Sequence, residues 1–294
     1  MSDDPAEPPL LAVNSVEIDM TRTDYRVVPA VADAEAQVQS LPDIAKQNEN
    51  LIAGINGGYF WRVDIDGFWR DNVCRGKTRD EAESPADQSI PPQHPNYGVG
   101  DGLVRVDGQV YSNNCDCYGN SRPAVLKLNG TDSYIDVLYR GETVDESVLN
   151  AIGAGPNLVS FNAETGESYI DIPADDDNIN RFVYEATAAV GLQLSQSSPS
   201  TVSADVLVMV TTDGSDSCLP GETYCGLVSP NLASLMREVF DCGVAMSMDQ
   251  GGSTTMWIQG ENPDRDGVVS RSDNKSPTEG ARSLANGLFL ELLV

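Results

Sequence analysis

The sequence predicts an α+β protein: a single domain over 1–294, with mixed or antiparallel sheets and flanking helices. Three observations carry that expectation. Short apolar runs stop at turn dipeptides such as Asp107-Gly108, Asn129-Gly130 and Asp213-Gly214, as strands joined by tight turns do. The clearest helical spacing is confined to Pro230–Asp241. No Gly/Ser-rich or charge-rich linker divides the 294 residues, of which 40% are hydrophobic, so the chain can bury one sizeable core.

Taken in order, Leu41 to Asn48 reads as a helix, because Pro42 sits where a first helical turn tolerates it. Leu51 to Ile55 is an apolar strand that ends at Asn56-Gly57-Gly58. A polar, proline-rich stretch at about 61–98 reads as a loop insertion, with Cys74 and His94 inside it. Leu103–Val106 and Gln109–Ser112 form a hairpin signal, and Ala124–Leu128 and Tyr134–Leu138 form another. A short helix is expected near Asp145–Ile152, followed by Gly153-Ala154-Gly155-Pro156 and a strand at Leu158–Phe161. Ala188–Leu192 reads as a strand with Arg181 and Glu185 beside it, and Val206–Thr212 as a strand buried on both faces.

The helix at Pro230–Asp241 takes Ser229 as its N-cap and presents Leu232, Leu235, Met236, Val239 and Phe240 on one side. Gly243 supplies the left-handed residue expected at its end. Val244–Met248 is then a strand running into Asp249-Gln250-Gly251-Gly252-Ser253-Thr254-Thr255, and the chain closes on a strand over Leu284–Leu293 that contains Asn286.

Composition narrows the function classes. A net charge of -27, from 45 acidic and 18 basic residues, leaves little basic surface for a phosphate backbone, so nucleic acid is not an expected partner. No apolar run reaches the roughly 20 residues that span a bilayer. The acidic coat and six cysteines suit a salty, oxidising setting, and a secreted or periplasmic protein with disulfides is expected. Cys218 and Cys225 are placed to close the loop between them. One histidine and no paired Cys-x-x-Cys argue against zinc, and no cofactor is expected. Asp175-Asp176-Asp177 and Asp264-Arg265-Asp266-Gly267 read as solvated turns. Calcium is the alternative at the second, which lacks the EF-hand spacing.

The candidate chemistry lies at the strand ends. Asn56 and Asp249 each close a strand and are followed by glycines, which let the backbone turn sharply and let a ligand approach the main chain. Free N–H groups in such turns are candidates for holding an anion or oxyanion. The alternative is a pair of tight turns capped by Asx side chains. Asp213 closes another strand, where Asp-Gly is equally a turn dipeptide.

The order of these pieces resembles the phosphodiester glycosidase family, which includes the uncovering enzyme for mannose-6-phosphate tags. The matching pieces are Asn56-Gly57-Gly58-Tyr59-Phe60, Gly102 to Gly108, Gly153 to Val159, Ala189-Val190-Gly191, Asp213-Gly214, Gly226 to Met236, Met248 to Met256 and Arg282 to Leu288. Met248-Asp249-Gln250-Gly251-Gly252-Ser253-Thr254-Thr255-Met256 is similar to the family's Leu-Asp-Gly-Gly-Gly-Ser-Thr-Thr-Met. Three positions depart from the pattern: Thr187 stands where the family usually has arginine, Gln250 replaces a glycine, and Asn231 replaces a helix glutamate.

The resemblance implies hydrolysis of a sugar from the phosphate on its anomeric carbon, with a carbohydrate or glycosyl phosphate as partner. Asp249 is expected as the catalytic carboxylate, with Asp213 as its partner. Asn56, Gly57, Gly58, Gly251, Gly252, Ser253, Thr254 and Asn286 are expected to line the substrate, and Arg282, or Arg181, to meet the phosphate. Two rival readings keep the sequence features. One is a glycoside hydrolase or lyase acting on a non-phosphorylated polysaccharide, and the other is a carbohydrate-binding envelope protein without catalysis.

Overall fold

The computed structural model describes residues 11–36, 38–60, 102–112, 124–138, 142, 144–172, 185–198, 201–214, 226–272 and 282–293. Fifteen strands among these residues form three sheets of six, four and five strands. Every strand pairing is antiparallel, so the mixed alternative falls away and the molecule is richer in sheet than an even α+β balance suggests.

The six-stranded sheet runs β1 (Val13–Asp19), β12 (Thr201–Thr212), β11 (Thr187–Ser198), β13 (Val244–Ser247), β9 (Asn157–Asn162) and β10 (Glu167–Ile170). The four-stranded sheet runs β14 (Met256–Ile258), β3 (Leu51–Asn56), β15 (Asn286–Leu292) and β2 (Tyr25–Val31). The five-stranded sheet runs β5 (Gln109–Ser112), β4 (Val104–Val106), β8 (Asn150–Ala154), β6 (Ala124–Leu128) and β7 (Tyr134–Val137).

The three sheets share one core. Ile18, Leu207, Met209 and Val190 of the first meet Ile55 and Leu288 of the second and Leu126 and Ile152 of the third. Strand period sends the intervening residues the other way: Val208, Val210 and Ala189 face Leu232 and Met236 of the helix at 229–239. Val206–Thr212 is thus buried on both faces, as its continuous apolar run predicts. The outer side of the four-stranded sheet is covered by α1 (Leu41–Ala45), whose Leu41 and Ile44 pack with Phe289 and Trp257.

Both hairpin signals hold. Asp107 and Gly108 take φ of 46° and 85°, which matches the twist a two-residue strand connection needs. Two helical expectations change. Asn150–Ala154 is a central strand buried at every residue and paired with β4 and β6, so neighbours on both sides override the local helical reading; only Asp145–Val148 turns.

The second helix, α2 (Ser229–Ser234), passes into a π turn at Leu235–Val239. Its N-cap is Val228, with no side-chain cap bond, rather than Ser229. The wider π turn shifts the apolar stripe, leaving Met236 buried and Val239 69% exposed. Asp241, at φ 51°, takes the left-handed conformation expected of Gly243. Gly243 is instead wedged against Leu194, where a Cβ would fall 2.6 Å from its side chain.

The loop insertion, His94, Asp175-Asp176-Asp177, Arg181 and every cysteine but Cys242 lie outside the described residues. Cys242 is a buried free thiol whose pKa burial pushes up to about 12, so it is neither a surface disulfide nor a reactive nucleophile. Among the described residues, no helix is long and apolar enough to cross a membrane.

Candidate functional site

The two glycine turns, nearly two hundred residues apart in sequence, meet where the four- and six-stranded sheets come together. β3 delivers Asn56, which is fully buried. Its Nδ2 donates to the Asp249 carbonyl at 2.7 Å, and its Oδ1 accepts from the Thr255 N–H at 3.0 Å. The Asp249 N–H in turn donates to the Gly57 carbonyl at 3.0 Å. One amide side chain thus clamps both sides of the second turn to the first. An uncompensated buried amide costs about 1–3 kcal/mol, which explains why it is so fully bonded.

β15 adds the second amide. Asn286 Oδ1 accepts from the Gly58 N–H at 3.0 Å, and its carbonyl accepts from the Gly57 N–H at 3.0 Å. A side chain at Gly57 would collide with Asn286 Oδ1, and one at Gly58 with the Gly153 carbonyl. These glycines are therefore required for close packing of three chain segments. Their N–H groups are engaged within the protein, so the anion-holding role expected of free turn amides does not fall to Gly57 or Gly58.

The Asp249 carboxylate is partly exposed, and its Oδ1 accepts from the Gln250 N–H at 3.0 Å. Gly251–Ser253 forms a single 3-10 turn. The Gly251 N–H and the Thr254 hydroxyl both donate to the Ala186 carbonyl, at 2.8 and 3.0 Å. Ser253 is buried, with its carbonyl accepting from the Thr255 hydroxyl at 3.1 Å. Thr254 and Ser253 therefore shape the turn from beneath. Gly252 faces the other way: Arg282 Nη1 lies 3.0 Å from the point a Cβ would occupy. The absence of that carbon lets a guanidinium lie on the turn, three residues along from the Asp249 carboxylate.

Asp213 occupies the neighbouring position. It is 6% exposed, and its Oδ1 accepts from Asn14 Nδ2 at 3.1 Å and the Arg271 N–H at 2.8 Å. Burial raises its pKa, opposed by the bonds from Arg271 and Asn14 and by the charges of Arg271 and Arg265. The following Gly214 approaches Ala186, whose N would lie 3.1 Å from a Cβ there. Asp213 is joined to the Asp249 turn through Ala186, with its own carboxylate tied to the β1 edge and to Arg271.

Thr187 is buried, and its hydroxyl bonds Thr212 Oγ1 at 2.8 Å on the helix-covered face of the sheet. Gln250 is also buried and donates from Nε2 to Ser247 Oγ. Sequence reasoning assigned no site role to Gly153, Ala186 or Asn14. Gly153 was visible as part of a glycine-proline cluster, whereas a backbone carbonyl such as that of Ala186 leaves no signature in residue type.

At the possible calcium loop, Asp266 pairs with Lys46, and Trp257 Nε1 donates to the Asp266 carbonyl at 3.0 Å. Among the described residues, no three His, Cys, Asp or Glu side chains come together to hold a metal ion. A separate cavity of about 640 Å³ lies between the β9–β10 hairpin and the π turn, lined by residues such as Phe161, Arg237 and Cys242; no expected site residue lines it.

By fold and site, this is a protein of three antiparallel sheets whose junction brings together a carboxylate, two clamping asparagines and a guanidinium. More particularly, the chain belongs to the phosphodiester glycosidase family, which matches residues 49–291. The fold is similar to that of the catalytic domain of zebrafish N-acetylglucosamine-1-phosphodiester alpha-N-acetylglucosaminidase, auto-inhibited by its pro-peptide. That match has a TM-score of 0.56 at 16% identity and covers 100% of this chain and 86% of the other. A hypothetical protein from Synechocystis matches with a TM-score of 0.51 at 11% identity, covering 96% of this chain and 59% of that one. No curated protein matches the sequence.

Proposed function

We propose that this protein hydrolyses the bond between the anomeric carbon of a sugar and a phosphate oxygen, working outside the cytoplasm. The observation that carries the reading is the placement of the Asp249 carboxylate and the Arg282 guanidinium on one glycine turn. The turn is held by Asn56 at the end of one strand and by Ala186, which immediately precedes β11 of another sheet.

The chemistry follows from charge. As the carbon–oxygen bond breaks, its electron pair leaves with the phosphate and the sugar ring becomes cationic. Asp249 stabilises that developing cation and takes a proton from the water that bonds to the anomeric carbon. Arg282 meets the phosphate through its planar fork, which suits two oxygens at once. A phosphate monoester leaves readily at neutral pH, so the site has less need of a strong general acid than one that expels an alkoxide. Asn56 and Asn286 act as positioning residues, and fixed geometry of this kind supplies a large share of such a rate enhancement.

The buried Thr187–Thr212 pair favours a second reading, in which the substrate is an unphosphorylated polysaccharide, because the arginine usual at that family position is missing. One experiment separates them. The protein is incubated in ¹⁸O-water with a panel of glycosyl phosphodiesters and neutral oligosaccharides, and products are read by mass spectrometry. Label entering the sugar of a phosphodiester supports the proposal. Products from the neutral set alone favour the second reading, and label in the phosphate excludes attack at carbon. Binding without any product would leave a carbohydrate-binding protein.

A further inference from the structure

We propose that Gln250 is a positioning residue: its side chain closes a bracket beneath the glycine turn that keeps the Gln250 N–H on the Asp249 carboxylate. The inference rests on the hydrolase reading above and adds to it a residue that does not itself meet the substrate.

The bracket is built from four consecutive residues. Gln250 is extended, at φ -113° and ψ -176°, so its side chain leaves the chain on the side opposite that of its neighbours. Asp249 is accordingly partly exposed, while Gln250 is buried. Beneath the turn, Gln250 Nε2 donates to Oγ of Ser247, the fully buried last residue of β13. The Ser247 hydroxyl donates in turn to the Met248 carbonyl at 3.0 Å. Backbone bonds hold the serine itself: its N–H donates to the Pro156 carbonyl at 2.9 Å, and its carbonyl accepts from the Gly155 N–H at 2.9 Å. The side chain of Gln250 is therefore anchored on the strand that leads into the turn, with Met248-Asp249 enclosed between the two anchors.

That anchorage acts on one peptide group. The peptide joining Asp249 to Gln250 carries the carbonyl that Asn56 Nδ2 bonds at 2.7 Å and the N–H that meets Asp249 Oδ1 at 3.0 Å. Asn56 fixes the carbonyl side. Gln250 fixes the other, because the N–H cannot swing far from the carboxylate while the side chain stays tied to Ser247. A hydrogen bond donated to a carboxylate is charge-assisted and sets the direction of the oxygen that accepts it. Extended dihedrals suit any residue, so glutamine brings no backbone strain where the family pattern has glycine. Glycine would keep the N–H and lose the tether, since it has no side chain. The departure at this position thus ties down the backbone beside the carboxylate proposed to act.

The test uses the whole chain, labelled for nuclear magnetic resonance, and Gln250→Met, which fills similar space without the amide donor. The amide at residue 250 should exchange with solvent about tenfold faster in this variant than in the wild type, as expected for a lost hydrogen bond. Amides in the centre of β11, at Ala189–Leu192, should stay protected. With a glycosyl phosphodiester as substrate, kcat should fall about tenfold or more while KM stays nearly unchanged. In the Asp249→Asn background, Gln250→Met should lower the residual kcat no further, because the carboxylate it positions is gone. Should Gln250→Met misfold, Ser247→Ala removes the acceptor instead and is read in the same way. Unchanged exchange at residue 250 overturns the bracket. Faster exchange with an unchanged kcat, or a further loss in the Asp249→Asn background, overturns the positioning role. A wild type that turns over no phosphodiester removes the hydrolase reading and the positioning role with it, an outcome distinct from an active wild type with unimpaired variants.

Discussion

At the scale of single residues, the proposed site divides into groups placed to meet a substrate and groups that hold them. Asp249→Asn keeps the backbone bonds of the turn and removes the charge. It should lower turnover by about a hundredfold or more with little change in melting temperature. Wild-type rates in that variant would take Asp249 out of the mechanism. Asn56→Ala strips the clamp from the Asp249 carbonyl and the Thr255 N–H, and should cost about 1–3 kcal/mol in urea unfolding together with activity.

Asp213 has a pH signature. Its pKa lies above the ordinary aspartate value of 3.8, because burial disfavours the charged form. Folding therefore favours its protonated form: the contribution to stability is complete below 3.8 and is lost as pH rises through the raised value. Asp213→Asn should flatten that part of the curve of melting temperature against pH. An unchanged slope would show that other carboxylates dominate it.

At the scale of elements, β15 links core to site. Phe289 is fully buried, packs edge-on to Trp257 with centroids 6.4 Å apart, and fills the space that Gly54 leaves open on β3. Three residues earlier, the same strand presents Asn286 to the glycine turn. Phe289→Ala should destabilise the fold by about 3–5 kcal/mol, measured by chemical denaturation. Should that loss also loosen the register of β15, KM and kcat would change although Phe289 lies in the core outside the proposed site. The π turn shows the opposite dependence of pattern on context. Leu232 and Met236 keep the apolar stripe in the core, and one widened turn is enough to carry Val239 into solvent.

At the scale of the whole molecule, the dominant fact is the net charge of -27. Self-repulsion of this kind opposes compactness and is screened by salt over about 10 Å at 0.1 M. Melting temperature should therefore climb between low salt and about 1 M sodium chloride. A flat response would mean that the acidic groups are already neutralised locally.

The sequence by itself determined what is local and repetitive. Alternation and turn dipeptides located the hairpins at Asp107-Gly108 and Asn129-Gly130, and the continuous apolar run marked Val206–Thr212 as a strand with two covered faces. The glycine motifs singled out Asn56 and Asp249, because tight turns admit few residue types. Tertiary structure alone decided the rest. Asn150–Ala154 became a strand because β4 and β6 flank it, and Asn56 met Asp249 because β3 and β13 belong to different sheets that share a core. The roles of the Ala186 carbonyl and of Asn14 were equally hidden. Backbone pairing and burial are made between segments far apart in the chain, and no run of neighbouring residues encodes which distant carbonyl will be waiting.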